Sequence, residues 1–295
     1  MTKNKIFALG FFDGVHWGHQ ALLAQCRRLA QKQKAQAAAI TFDRHPQALF
    51  SQNPPLLLNS NADRTALLAA FGMEWVHTFP VTDEVMSTSW RAFLTHLQAE
   101  GAVGFVCGAD FRFGRGGEGN AEKLADFCRE RGLPWAIVPE QTLDGVRISS
   151  THIRQLVEAG DMEEAARFLG RPHSLSGYVM PGRQIGRTIG VPTANILIPE
   201  EVVVPKLGVY TTECLVDGVR HKAVTNIGSR PTVEGHQVRA ESWLLDFEGD
   251  LYGKHMTVFF HKFLRPEQKF DTLDKLKEQI LQDAEDARRV INGTY

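Results

Sequence analysis

A change of rhythm near residue 170 constrains this chain more than any other feature. From residue 5 to residue 170, short apolar runs alternate with amphipathic segments, the pattern of βαβ units feeding a mainly parallel sheet. Ile6–Leu9 predicts a strand, followed by a glycine-bearing loop and a helix from about Gly18 that carries Leu22, Leu23, Cys26 and Leu29 on one face. Further strands are expected at Ala37–Phe42, Gly104–Cys107 and Trp135–Val138, and helices at Trp90–Leu97, Leu124–Arg131 and Thr151–Leu169, the last with a turn at Gly160 and Asp161. Gly170, Arg171 and Pro172 then stop the helical stretch, because a glycine followed closely by a proline cannot continue it. We place the domain boundary there, giving 1–170 and 171–295.

Beyond that boundary the pattern is β-rich. Val209–Val216 and Val219–Ile227 flank Asp217 and Gly218, a strong hairpin signal. Val238–Phe247 and His255–Phe263 are expected to form a second hairpin across a turn region holding Gly249 and Gly253. Leu273, Leu276, Ile280, Ala284, Ala287 and Ile291 fall at helical spacing, with Asp271 or Thr272 placed to cap that helix. The expected fold class is α/β plus β: a parallel-sheet domain, then an antiparallel barrel or sandwich with one terminal helix.

Composition excludes several partners. The length of 295 residues sets a prior of two domains, and 43% hydrophobic residues with 23% charged are too apolar for disorder. Lys and Arg number 33 against 34 Asp and Glu, divided 17 to 18 up to residue 170 and 16 to 16 beyond it. Binding to a phosphate backbone needs concentrated positive charge, so no nucleic-acid partner is expected. Cys26, Cys107, Cys128 and Cys214 stand far apart, which points to neither a disulfide framework nor structural zinc. The apolar run Ile6–Phe12 is too short for a membrane span and has no cleavage pattern. A cytoplasmic chain without membrane partners is expected, and no residue pattern points to a particular oligomeric state.

The segment Gly10-Phe11-Phe12-Asp13-Gly14-Val15-His16-Trp17-Gly18-His19 leaves a strand and opens a helix. A helix N-terminus among glycines, here Gly10, Gly14 and Gly18, is a natural phosphate site. His16 and His19, three apart, are suited to stabilising charge on a reacting phosphate. An isolated histidine is more often a satisfied surface or core residue, but this position among glycines at a strand-to-helix turn favours function. As a metal pair they lack a carboxylate at a matching offset. Downstream, the hydroxyls of Ser149, Ser150 and Thr151 and the guanidinium of Arg154 suit a triphosphate, although such a run by itself is equally a helix cap. Between them Gly108–Gly119, with Asp110 inside it, is a flexible loop after a strand, with Arg112 and Arg115 available for anionic groups and Phe111 and Phe113 for packing or stacking.

In the second half, Gly182, Gly186 and Gly190 repeat every four residues and lead into Pro192-Thr193-Ala194-Asn195. No GxxxxGK[ST] occurs, so a kinase here is not of the P-loop kind. Glycines let a backbone approach phosphates, and the oxygens of Thr193 and Asn195 are hard ligands suited to Mg²⁺. A glycine-rich turn series with a buried polar pair is the plainer alternative.

These strings resemble known families. HxGH, His16 to His19, is similar to the nucleotidyltransferase superfamily, and the longer string resembles the adenylyltransferase half of bacterial bifunctional riboflavin kinase/FAD synthetases. Ile148–Arg154 and Gly108–Gly119 fit the same pattern. Thr41-Phe42-Asp43-Arg44-His45-Pro46 resembles the family's TFxPHP segment with Arg44 replacing a proline, and Phe11 stands where an asparagine is frequent. Gly182–Asn195 resembles the riboflavin kinase motif GxxxGRxxGxPTAN. Further matches follow in order at Gly208-Val209-Tyr210, Asn226 to Thr232, Glu241 ahead of Leu245-Asp246-Phe247, Leu251-Tyr252-Gly253 and Phe263-Leu264-Arg265, with Trp243 where the family often has a histidine.

The resemblance covers nearly the whole chain. It implies a Rossmann-like FMN adenylyltransferase domain followed by an antiparallel β-barrel riboflavin kinase domain, with ATP, riboflavin and FMN as small-molecule substrates. By this resemblance Glu241 is the kinase base and Thr193 and Asn195 hold Mg²⁺, with Gly182, Gly186 and Gly190 near the phosphates. His16 and His19 act at the adenylylated phosphate, Gly10, Gly14 and Gly18 admit it, and Ser149, Ser150, Thr151 and Arg154 hold the leaving pyrophosphate. Asp110, Phe111, Arg112 and Arg265 are the implied flavin contacts. A nucleotidyltransferase for another substrate is disfavoured by the ordered C-terminal matches. A flavin-binding module without turnover is disfavoured by intact His16, His19, Thr193, Asn195 and Glu241.

Overall fold

The computed structural model describes residues 3–182, 186, 190–232 and 235–293, with backbone alone for 230–232, 235–236 and 292–293. Residues 183–185 and 187–189 of the glycine motif lie outside the described residues, as do the side chains of Arg230, Pro231 and Thr232. The chain divides into two compact units, Met1–Ser150 and Thr151–Tyr295.

In the first unit β1 (Lys5–Leu9) is buried along its whole length and runs parallel to β2 (Gln36–Phe42) and β4 (Ala102–Gly108). With β3 (Trp75–Phe79) and β5 (Trp135–Val138) the sheet order is β3-β2-β1-β4-β5. Helices cover both faces, which is why the central strands read as continuous apolar runs. Ile6 and Ala8 face Leu22, Leu23 and Cys26 of α1 (Trp17–Gln33). Phe7 and Leu9 face the side holding Phe93, Leu94, Leu124 and Phe127. Each such Leu or Phe, fully buried, contributes about 1.5–3 kcal/mol. The chain order reverses between β1 and β4, and the crevice at the carboxyl ends of such a strand pair is where open α/β sheets bind ligands.

The remaining helices here are α2 (Asn61–Ala70), α3 (Asp83–Ser87), α4 (Trp90–Ala99) and α5 (Ala121–Arg131). Neither β3 nor α2 follows from the sequence pattern. β3 is mostly half-buried and carries His77 and Thr78, and the buried positions of α2 are Leu68 and a charged residue, Arg64. A short hairpin, β6 (Thr142–Leu143) and β7 (Val146–Arg147), precedes α6 (Ser150–Ala159).

The second unit holds α7 (Met162–Leu169), capped by Asp161, whose Oδ1 accepts from Glu164 N at 3.1 Å, and ended by Gly170 at φ 72°. The expected division after residue 170 and the division between compact units thus differ by the helix pair α6–α7. α7 packs on β8 (His173–Tyr178) and β13 (His255–Arg265). With β9 (Ala194–Leu197), β10 (Gly208–Val216), β11 (Val219–Thr232) and β12 (Gly235–Leu244), these form a six-stranded antiparallel sheet ordered β8-β13-β10-β11-β12-β9. Its two edges meet: Met180 N donates to Asn195 O at 2.8 Å, and a side chain at Gly177 would lie 3.3 Å from Ile196 Cβ. The result is a near-closed barrel rather than a sandwich. Inside it, Thr212, Thr225 and Ser242 hydroxyls bond in a chain at 2.7 and 2.8 Å. α8 (Leu273–Gly293), capped by Thr272 Oγ1 on Lys275 N at 3.3 Å, covers Val209, Val224 and Leu245 with Ala284 and Ala287.

The first hairpin forms as expected, with Asp217 and Gly218 at φ 49° and 80°. The second does not. β12 pairs with β11 and β9, and β13 pairs with β10 and β8. β12 stops where Leu245 N donates to Lys222 O at 2.7 Å and Asp246 turns to φ 59°. The chain then crosses to β8, where Gly253 N donates to Val179 O and Val179 N to Lys254 O, both at 2.9 Å.

His173 is 1% exposed and its Nε2 has no hydrogen-bond partner. Burial, with Arg171 beside it, pushes its pKa down to about 3. The unfolded chain takes up this proton near 6.5, so it binds more protons than the folded chain at every pH between those values. Stability is therefore full above about pH 7 and falls by about 1.4 kcal/mol per pH unit between about 6.5 and 3. Urea unfolding of His173→Phe should show a smaller loss between pH 7.5 and 5.5 than the unsubstituted chain, by about that amount.

Candidate active sites

Leaving β1, the backbone takes positive φ at Phe12 (59°), Gly14 (78°) and Val15 (41°). A β-branched residue in that region is rare and persists only where its surroundings hold it. Here Asp13, 2% exposed, accepts Leu58 N on Oδ1 at 2.8 Å and Ser150 Oγ on its carbonyl at 2.9 Å. Thr41 Oγ1 donates to Phe11 O at 2.7 Å and Gln20 Nε2 to Val15 O at 2.9 Å.

This loop sets His16 as the N-cap of α1. Its Nδ1 accepts His19 N at 3.4 Å, and the two imidazoles stack with centroids 3.6 Å apart and planes 14° from parallel. Gly18 makes the room, since a Cβ there would lie 3.3 Å from the His16 ring. Accepting at Nδ1 leaves the N–H of a neutral His16 at Nε2. Burial, and secondarily His16, hold the His19 pKa well below 6.5, so His19 is neutral at pH 7 and offers a single N–H. Its Nδ1 is buried without a hydrogen-bond partner. An N–H donor at a helix N-terminus suits an anion. Ser149 is half-buried ahead of α6 and Ser150 opens it, while Thr151 (exposed) and Arg154 (half-buried) follow on the same helix beyond the division between units.

At the carboxyl end of β4 the loop closes on itself through Phe113 and Gly119, whose backbones exchange bonds at 3.2 and 2.8 Å. Phe111 stacks on Phe113 at 5.8 Å, and Arg112 is exposed. Asp110 pairs with Arg147 Nη2 at 2.5 Å, and that guanidinium also reaches Glu140 at 2.8 Å. The family departures have structural consequences. The Phe11 ring lies between the Arg64 guanidinium, 4.5 Å from its centroid, and the His45 ring at 5.2 Å. Arg44 is exposed, 3.7 Å from Asp43.

In the barrel, register brings a polar row together. Asn195 of β9 stands opposite Glu241 of β12, which stands opposite Asn226 of β11, and directly opposed residues share a face with Cβ atoms about 4.5–5.5 Å apart. Asn195 is 3% exposed, donates Nδ2 to Thr193 O at 3.5 Å, and has no hydrogen-bond partner on Oδ1. Gly182 packs on this amide, and a Cβ at Gly186 would lie 2.1 Å from Val191 O, so only glycine fits there. Gly190 has φ 79°. Thr193 lines a cavity of about 400 Å³ with Val179, Leu244, Phe247, Asp250 and Tyr252. Among the described residues no group of three or more His, Cys, Asp or Glu could hold a metal. A hydroxyl, an amide oxygen without a partner and phosphate oxygens are instead the donor set of a hard cation such as Mg²⁺.

Sequence reasoning missed Asn226 as a member of this row, although it was matched in a longer string. Trp243, on the Glu241 face, packs into the cluster under α8. Arg265 is engaged by the same helix: Nε and Nη2 reach Asp283 at 3.0 and 2.7 Å, and Nη1 reaches Pro266 O at 3.2 Å.

Comparison with known proteins gives two family matches in order, FAD synthetase over residues 1–152 and riboflavin kinase over 169–291. A bifunctional riboflavin kinase/FMN adenylyltransferase of Listeria monocytogenes is 37% identical, over 97% of this chain and 92% of its own. The protein so described from Escherichia coli K12 is also 37% identical, over 98% and 93%. A solved Streptococcus pneumoniae structure described as a macrolide-efflux protein aligns with a TM-score of 0.86 at 30% identity, covering 98% of this chain and 95% of that one. Among the described residues of this chain no helix is long and apolar enough to cross a membrane.

Nuclear magnetic resonance of labelled histidine should find His19 neutral throughout pH 7.5–6.5. In Gly18→Ala the His16 and His19 ring signals should both move, because the new methyl displaces one ring of the stack. Unchanged shifts would contradict the packing described.

Proposed function

From the bifunctional riboflavin kinase/FMN adenylyltransferase family, to which this chain belongs, we infer that it makes FAD in two ATP-dependent steps. The observation that carries the reading is that both families match in order along one chain at 37% identity to full-length relatives. Residues 171–295 are the riboflavin kinase and 1–170 the FMN adenylyltransferase. The chain works in the cytoplasm on small molecules, without nucleic-acid or membrane partners.

In the first step the riboflavin 5′-hydroxyl attacks the γ-phosphate of ATP, its proton passes to Glu241, and ADP leaves as the bridging P–O bond breaks. Glu241 suits this role because Asn195 and Asn226 flank it across the strands. The 400 Å³ cavity beside Thr193 takes the nucleotide. Thr193 and Asn195 hold Mg²⁺, which when bound offsets phosphate charge. Gly182, Gly186 and Gly190 let the backbone approach the phosphates. Arg265 bears on this site through α8, which its pair with Asp283 holds on the barrel.

In the second step an FMN phosphate oxygen attacks the α-phosphate of another ATP, and pyrophosphate departs. The nucleophile is already an anion, so no base is needed. A neutral His19 fits, because it donates a hydrogen bond to the reacting phosphate. His16 acts beside it, and Gly10, Gly14 and Gly18 leave space for the phosphates. Ser149, Ser150, Thr151 and Arg154 hold the pyrophosphate. Asp110, Phe111 and Arg112 contact the flavin.

Incubation with riboflavin, ATP and Mg²⁺, followed by chromatography, should show FMN and then FAD. His19→Ala should abolish FAD formation and spare FMN formation. Glu241→Gln and Asn195→Ala should do the reverse, with supplied FMN still adenylylated. Equal loss of both products in a folded variant would contradict separate sites, and no product from either flavin would leave a binding module.

A further inference from the structure

Arg64 is 0% exposed, the largest of the fully buried side chains, and neither the family motifs nor the proposed chemistry uses it. It sits on the first turn of α2, beneath the carboxyl ends of two neighbouring strands. Nη2 donates to Phe42 O, where β2 ends, and to Asn61 Oδ1 at 3.0 Å. The guanidinium carbon lies 4.5 Å from the Phe11 ring centroid, just past the end of β1. Nε and Nη1 are buried without hydrogen-bond partners. A buried cation left with unsatisfied donors is expensive, and such a group persists where its charge is used. Burial lowers the Arg64 pKa to about 10, and the charges that offset it are Asp13, 2% exposed in the loop that presents His16 and His19, and Asp43 in the Thr41–Pro46 segment.

We propose that Arg64 is a positioning residue for adenylyl transfer. Through Phe11 it holds the left-handed loop that sets the histidine stack, and through Phe42 it holds the Thr41–Pro46 segment beside it. One planar cation thus fixes two loops relative to each other. The proposal rests on the adenylyltransferase reading of the first unit. It accounts for Phe11: an aromatic face is a partner for a guanidinium that an asparagine would not supply.

The test uses the full chain, with the unsubstituted protein assayed in parallel; if that protein fails to adenylylate FMN, the functional reading falls rather than this proposal. Arg64→Met should lower kcat for FMN adenylylation about 10²-fold, the scale of a misplacement near 1 Å, with KM for FMN and ATP little changed. Riboflavin phosphorylation, in the other unit, should be unaffected. Millimolar guanidinium should raise the adenylylation rate of Arg64→Ala, whereas urea, of similar shape but uncharged, should not. A normal kcat in Arg64→Met, a loss confined to KM, or no guanidinium rescue in folded Arg64→Ala would overturn the proposal. If both truncations fail to fold, Arg64→Lys decides: it keeps the charge without the planar stack on Phe11, so kcat for adenylylation should fall about 10-fold or more with KM little changed, and an unchanged kcat overturns the proposal.

Discussion

Asp13 accepts Leu58 N at 2.8 Å from a position almost sealed from solvent, and the geometry of the first site depends on that contact. A strand must become a helix within seven residues here, and the route passes through three left-handed positions, one of them the valine Val15. Such a backbone does not hold itself. Asp13 draws on chain far away in sequence, Leu58 through its carboxylate and Ser150 through its carbonyl. The same clamp that fixes the loop therefore brings the beginning of α6 to it, so that a hydroxyl-bearing helix start and a histidine-bearing helix start converge.

The barrel solves its placement problem by register instead of by a clamp. Because β9, β12 and β11 are antiparallel neighbours, Asn195, Glu241 and Asn226 fall in one row, and a slip of one residue would send a member to the opposite face. Closure pins the register at the β9 edge. Asn195 gives its backbone carbonyl to Met180 on the far side of the seam while its side-chain Oδ1 stays without a partner. The residue that seals the barrel also carries the oxygen proposed to hold a cation.

Much of this architecture is legible in the sequence wherever the signal is local. Asp217-Gly218 makes its turn because both residues tolerate the positive φ it needs, and Gly170 ends α7 for the same reason. Pairing between distant strands is not local, and this is why β12 and β13 read as a hairpin: the glycines mark a reversal but not the strand that lies next door. The motif His16–His19 reads as a phosphate site, yet the lowered pKa of His19 comes first from burial and then from His16, which spacing alone does not show. Nothing in the sequence signals the pair of Arg265 with Asp283, which lies 18 residues away on a helix, and only folding brings them to 2.7 Å. Arg64 is hidden for the opposite reason, since a charge on a helix reads as solvent-facing when here it is wholly buried.

The two sites differ in their proton chemistry, and their surroundings follow that difference. A riboflavin hydroxyl is a poor nucleophile until it loses its proton, and the carboxylate proposed to take that proton, Glu241, stands in register between Asn195 and Asn226. An FMN phosphate is already an anion, so its attack needs no base, and a carboxylate beside it would repel it. What that step needs is a hydrogen-bond donor, and the N–H of a stacked imidazole whose pKa is lowered first by burial and then by His16 is proposed to supply it. Burial that weakens His19 as a base thus leaves its neutral N–H in place, and a step with no proton to remove asks for no more than that.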